Sequence, residues 1–92
     1  MSDDFVLNAD FMRLALKEAR AHLAAVEGGP FGACMVKDGK VLAVAHNTVL
    51  RENDPTCHAE INAIRLACRR LGSYDLSGAT IYSTNFDWKM FL

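Results

Sequence analysis

The sequence predicts one α/β domain of three layers, a sheet with helices on both faces. Three features point there: an apolar stripe at helical spacing near the start, two strand-like runs joined by Asp38-Gly39, and a second helical stripe between this hairpin and a further strand. A helix inserted between strands requires a crossover, and a hairpin whose second run is apolar at odd and even positions alike needs cover on both sides.

From about Asn8 to Val26, Met12, Ala15, Leu16, Ala19, Leu23 and Val26 recur at helical spacing, with Arg13, Lys17, Glu18 and Arg20 between them. Gly28 and Gly29 end this helix and Pro30 prevents its resumption; His22 carries no assigned role. Phe31 to Lys37 and Lys40 to His46 then pair antiparallel across Asp38-Gly39, a dipeptide favoured where both central turn residues take positive φ. The second run reads Val41, Leu42, Ala43, Val44, Ala45 without alternation. Asn47 to Thr56 is a polar connection of the kind that carries function on a rigid scaffold.

The helix that follows covers 58–71, roughly four turns. Asp54 or Thr56 is its expected N-cap, with Pro55 suited to the first turn in the former case, and Ile61, Ile64, Cys68 and Leu71 are expected on one side. Gly72 reads as the C-terminal cap, Ser77-Gly78 as a turn, and Ala79 to Thr84 as a third strand, parallel to one of the first pair. Beyond it, Phe86, Trp88, Met90 and Leu92 alternate with Asp87 and Lys89, so the tail is expected to prolong strand three and leave an open apolar edge prone to self-association.

Composition bounds the function classes. The 92 residues make a single domain, 51% hydrophobic and 23% charged. A net charge of −1 provides no basic field for sequence-independent nucleic-acid binding, and Arg65, Arg69 and Arg70 on one helix read as a solvated face. No apolar run approaches the roughly 18 residues of a membrane span, and Met1-Ser2-Asp3-Asp4 opens no leader, which points to the cytoplasm. Cys34, Cys57 and Cys68 are odd in number and lack Cys-x-x-Cys spacing, against both a disulfide framework and a zinc knuckle. Cys34 and Cys68 fall at core positions, whereas Cys57 stands beside His58 near a helix start, where a thiol pKa can drop.

The chain is organised around Asn53-Asp54-Pro55-Thr56-Cys57-His58-Ala59-Glu60, the mouth of that second helix. Were both helical, His58 and Glu60 would lie about 200° apart around the axis, so they can share a site only off its N-terminal end. Free N–H groups and the dipole there favour anions, which suits a metal-bound hydroxide and a carboxylate proton carrier. His-x-Glu is the first half of the zinc nucleobase deaminase motif, whose second half is Pro-Cys-x-x-Cys. A metalloprotease reading fails for want of His-Glu-x-x-His.

The likeness extends over residues 8–84. Gly29-Pro30-Phe31-Gly32-Ala33, Val36-Lys37-Asp38-Gly39, Asn47, Asn53 to Thr56, His58-Ala59-Glu60, Ala63-Ile64-Arg65, Leu71-Gly72 and Thr80 to Thr84 resemble the N-terminal part of the cytidine and deoxycytidylate deaminase family, nearest its guanine deaminase branch. The resemblance implies a cytidine deaminase-like fold with strand order 2-1-3-4-5, truncated here after the third strand: helix, β-hairpin, helix, strand. It implies zinc as cofactor with His58 as a ligand, Glu60 as the catalytic proton carrier, and Asn47, Ala59 and Phe31 on the substrate. On spacing alone a loop-capping role is the preferred reading of Asn47, and the resemblance reverses that preference.

Where the family continues with Cys-Glu-Pro-Cys-Pro-Met-Cys, this chain reads Asn85-Phe86-Asp87-Trp88-Lys89-Met90-Phe91, placing Trp88 and Phe91 at the two thiolate positions. Neither side chain binds zinc. Residues 1–84 therefore read as the N-terminal part of a deaminase domain and 85–92 as a divergent apolar tail. Two functions follow from the resemblance. One is zinc-dependent hydrolytic deamination of a small nucleobase or nucleoside, a guanine-type purine first, by a homo-oligomer. The other is a truncated, inactive remnant lacking the thiolate half of the site.

Overall fold

The computed structural model describes residues 9–21, 28 and 31–84, and the backbone of 88–91. Its elements are α1 (Ala9–Ala21), β1 (Gly32–Lys37), β2 (Lys40–His46), α2 (Val49–Glu52), α3 (Ala59–Leu71), β3 (Thr80–Ser83) and β4 (Trp88–Phe91). The strands form one sheet in the order β2-β1-β3-β4 with every neighbouring pair antiparallel. β3 thus runs in the direction of β2, with β1 between them.

Alternation along β1 assigns the two faces. Cys34 and Val36 pack with Met12 and Ala15 of α1 and Tyr82 of β3, while Ala33 and Met35 pack with Ala59, Ala63 and Ala67 of α3 and Ile81. The three expected layers are present, α1 on one face and α3 on the other. Gly32 sits directly under α1, where a Cβ would overlap the carbonyl oxygen of Ala15. Only glycine lets helix and strand backbones approach this closely.

The hairpin turn has the expected chemistry: Asp38 and Gly39 both take positive φ, 53° and 74°. β2 carries one irregularity. Met35 pairs with Ala43 but Val36 with Val41, so Leu42 is a bulge residue, and its carbonyl accepts a hydrogen bond from Arg70 Nη1 at 2.8 Å. Arg70 is thereby tied to the sheet edge rather than simply solvated.

Several expectations are corrected. The buried stripe of α3 is Ala59, Ala63 and Ala67; Ile61 and Ile64 are only partly buried and Leu71 is 41% exposed. Small residues at i, i+4 and i+8 bring the helix axis near the sheet, which leaves larger side chains to flank the contact. The N-cap is His58, not Asp54 or Thr56, because those two residues build a turn of their own ahead of the helix. α2 interrupts the connection expected to be irregular and ends at Asn53 in the left-handed region. The tail does not prolong β3: β4 folds back on it, pairing Ser83 with Trp88 and Thr80 with Phe91, so the outer edge belongs to β4. Gly72 caps α3 at φ 68° as expected, its N–H donating to the Cys68 carbonyl at 2.9 Å. The expected continuation of α1 through Leu23 and Val26 lies outside the described residues.

Candidate active site

The site is assembled where β2 ends and α3 begins. Leaving β2, the chain buries Asn47 and Thr48. The Asn47 N–H donates to the Phe31 carbonyl at 3.1 Å, and the Thr48 N–H to the Cys57 carbonyl at 2.9 Å. The second bond draws the start of the loop against its end. Between them the Asp54 Oδ1 accepts from the Thr56 N–H at 2.8 Å and the Thr56 hydroxyl at 2.7 Å. The Thr56 N–H, then its hydroxyl, hold the Asp54 carboxyl below its usual range, with a smaller contribution from the Arg65 charge.

His58 is extended, with φ −66° and ψ 156°, and makes no side-chain cap bond. Its imidazole is therefore aimed off the helix end, where it meets the first-turn Glu60: Nδ1 and Oε1 lie 3.4 Å apart. That is ion-pair range and longer than a good hydrogen bond. The His58 side chain is 50% exposed and that of Glu60 20%, so the pair opens to solvent at the mouth of α3.

Of the residues singled out in the sequence, the structure brings together His58 with Glu60, and the Asn47 and Phe31 backbones with each other. Asn47 is 8% exposed, and its Oδ1 accepts from the Val49 N–H at 3.0 Å. The loop-capping reading of this residue is thus realised. A Cβ at Gly28 would overlap the same amide, so the chain bend there lies directly against Asn47. Ala59 places its methyl in the core on the α3 side, which leaves only its backbone to face the mouth.

Asn62 was not singled out, and it is the residue that joins these parts. Its Nδ2 donates to Thr48 Oγ1 at 2.8 Å, the His46 carbonyl at 2.9 Å and the Cys57 carbonyl at 3.2 Å. Two amide hydrogens serve three acceptors, so one bond is shared. The available signal was an amide, a poor helix former, one turn after His58 among apolar neighbours. Replacing Asn62 by Leu, similar in size but without donors, strands those acceptors and is expected to cost about 1–3 kcal/mol. A denaturant melt would measure this, and amide exchange at 46–48 should quicken; an unchanged melt would refute the tether.

The donor set tests the fit to zinc. Among the described residues no three His, Cys, Asp or Glu side chains gather within reach of one ion. The buried Cys57 Sγ faces Arg65 Nη1 at 3.6 Å, and Asp54 is committed to Thr56. Cys34 is in the core beneath α1, its thiol pushed up to about 11 by burial. Trp88 and Phe91 have no zinc-binding atom. The described residues therefore supply one imidazole and a neighbouring carboxylate, short of the usual three ligands.

Residues 7–86 match the cytidine and deoxycytidylate deaminase zinc-binding region. The chain is 46% identical over 74 residues to the guanine deaminase of Bacillus subtilis, covering 80% of this chain and 47% of that protein. It is also 46% identical over 76 residues to a tRNA-specific adenosine deaminase of Aquifex aeolicus, covering 80% and 48%. The X-ray structure of guanine deaminase from Bacillus subtilis superposes with a TM-score of 0.79 at 43% identity, over 86% of this chain and 50% of that one. The chain thus spans about half the length of the relatives it matches.

Proposed function

This chain belongs to the cytidine and deoxycytidylate deaminase family, and from that premise we propose that it carries the proton-handling and base-holding half of a hydrolytic amino-purine deaminase site. The observation that carries the proposal is the His58–Glu60 pair at the mouth of α3, 3.4 Å apart and open to solvent. In such a reaction water adds to the ring carbon bearing the amino group and ammonia leaves. Glu60 takes one proton from the attacking water and delivers it to the ring nitrogen, then carries the second, from the newly added hydroxyl, to the departing amine so that ammonia leaves, the work of a positioned general base and acid.

Asn47 holds the base edge. With Oδ1 taken by the Val49 N–H, its Nδ2 has no partner among the described residues and is available to donate to a ring nitrogen or carbonyl. Phe31, half-buried at the start of β1, and the Ala59 backbone complete the substrate side of the proposal. A purine is favoured because a guanine deaminase and an adenosine deaminase are both 46% identical to this chain. The Gly29-Pro30-Phe31-Gly32-Ala33 wording favours guanine between them.

Zinc supplies this chemistry with water ionised near neutral pH. Among the described residues the ligand set stops at His58. A second reading, a non-catalytic relative, is favoured by Trp88 and Phe91 within β4 at the positions of the family's thiolates. Purified chain is expected to retain well below one equivalent of zinc after dialysis against a weak chelator, and to release no ammonia from guanine, adenine or cytosine by itself. Stoichiometric retained zinc, measured by metal analysis, would overturn that expectation.

A further inference from the structure

A cavity of about 370 Å³, within the roughly 300–1,000 Å³ of small-ligand sites, lies between the outer edge of β2, α2 and α3. Neither His58 nor Glu60 lines it. We propose that this cavity binds the phosphate group of a small phosphate monoester, held by Arg65 and Arg69. The inference is independent of the deamination reading.

The charges facing the cavity come from Arg51, Arg65, Arg69, Glu18 and Glu52, with His46 beside them. Glu52 Oε1 lies 3.0 Å from Arg51 Nε and offsets its charge, while Glu18 Oε2 lies 2.7 Å from His46 Nδ1, a bond that orients the carboxylate and leaves it charged when the imidazole is neutral. Asp54, the other acid near Arg65, does not line the cavity and gives its Oδ1 to Thr56. Three arginines thus face two carboxylates, which leaves the lining net positive, with Arg65 and Arg69 in no ion pair among the described residues. Arg65 is pre-oriented, its Nη2 donating to Thr56 Oγ1 at 3.0 Å and its Nη1 to Cys57 Sγ at 3.6 Å. Arg69, one helical turn further on, has no partner among the described residues and is free to close on a ligand.

Arg65 and Arg69 present two guanidinium groups one helical turn apart, and a phosphate monoester, with about −1.5 to −2 charges at pH 7 and three terminal oxygens, has acceptors enough for both where a carboxylate has two oxygens. The planar fork of arginine fits phosphate oxygens in pairs. Val44, Ala45 and Leu66 supply an apolar wall for the remainder of the molecule.

The test titrates the 92-residue chain with ribose 5-phosphate and with ribose, followed by backbone amide NMR; the probe has no base, so binding at the mouth of α3 does not contribute. Saturable shifts at Thr48, Cys57, Asn62 and the 65–69 turn are expected with the phosphate ester and none with ribose. Arg69→Gln should weaken binding at least about tenfold, as loss of a charge-assisted bond does. Arg13→Gln, the same charge change on exposed α1, should alter it by less than about twofold. Arg69→Lys, which keeps the charge and loses the fork, should fall between, and serves if the Gln variant is unstable. Equal weakening by Arg69→Gln and Arg13→Gln, or no saturation at tens of millimolar, would overturn the proposal. So would single-stranded RNA binding more tightly per phosphate than the ester, which would assign the surface to nucleic acid.

Discussion

Exchange of Glu60 for Gln is expected to lower deamination by about 10² or more while bound zinc is retained, once the chain is given a complete ligand set. The setting is a chimera in which residues 85–92 are replaced by the family's Cys-Glu-Pro-Cys-Pro-Met-Cys segment and the remainder of a guanine deaminase. Gln keeps the shape and hydrogen bonding of Glu60 but neither accepts nor returns a proton at the pH of the assay. Glu60 Oε1 lies 3.4 Å from His58 Nδ1, so the carboxylate stands beside the proposed ligand. His58→Ala should behave differently and release the metal itself. Metal analysis and ammonia release from guanine, on the same preparations, separate the two outcomes. A Glu60→Gln chimera as active as its parent would show that the proton carrier lies elsewhere.

Gly32→Ala is expected to cause the largest loss of stability among single-methyl additions, at least about 3 kcal/mol, the upper end of ordinary overpacking. The new Cβ would overlap the Ala15 carbonyl oxygen. Backbone cannot rotate aside as a side-chain tip can, so α1 must lift from the sheet and expose the seam of Met12, Ala15 and Cys34. Gly39→Ala supplies the comparison. There φ is 74° but nothing lies within 4 Å, so only the left-handed penalty of about 1 kcal/mol applies. Urea melts of the two variants test the difference; equal midpoints would mean that α1 does not rest on Gly32.

What the sequence made legible was local. Asp38-Gly39 specified its turn because both residues tolerate positive φ, and Gly72 specified the end of α3 for the same reason. The three layers followed from two helical stripes and an apolar hairpin, and His58 and Glu60, read as able to share a site only off the helix end, lie 3.4 Å apart there. The missed features depend on distance through space. Hydrophobicity favoured Ile61 and Ile64 as the buried face of α3, whereas the closeness of the sheet selects Ala59, Ala63 and Ala67. Asn62 looked like an intrusion in an apolar helix, and only the arrival of His46, Thr48 and Cys57 around it gives its amide a purpose. The period-two tail correctly indicated extended backbone, but whether it ran on or turned back was decided by its pairing with β3.

The strand order also divides the fold into local and long-range contacts. Every bond that frames the mouth of α3 is short in sequence: Phe31 to Asn47, Thr48 to Cys57, Asn62 to His46. Pairing of β1 with β3 instead joins Ala33 to Ser83 across roughly 50 residues, and the entropy of closing such a loop must be met before the contacts form. A chain emerging from the ribosome therefore has the hairpin and α3 available before β3 can dock. The part of the protein that would meet a base is held by local contacts, and closure of the sheet by distant ones.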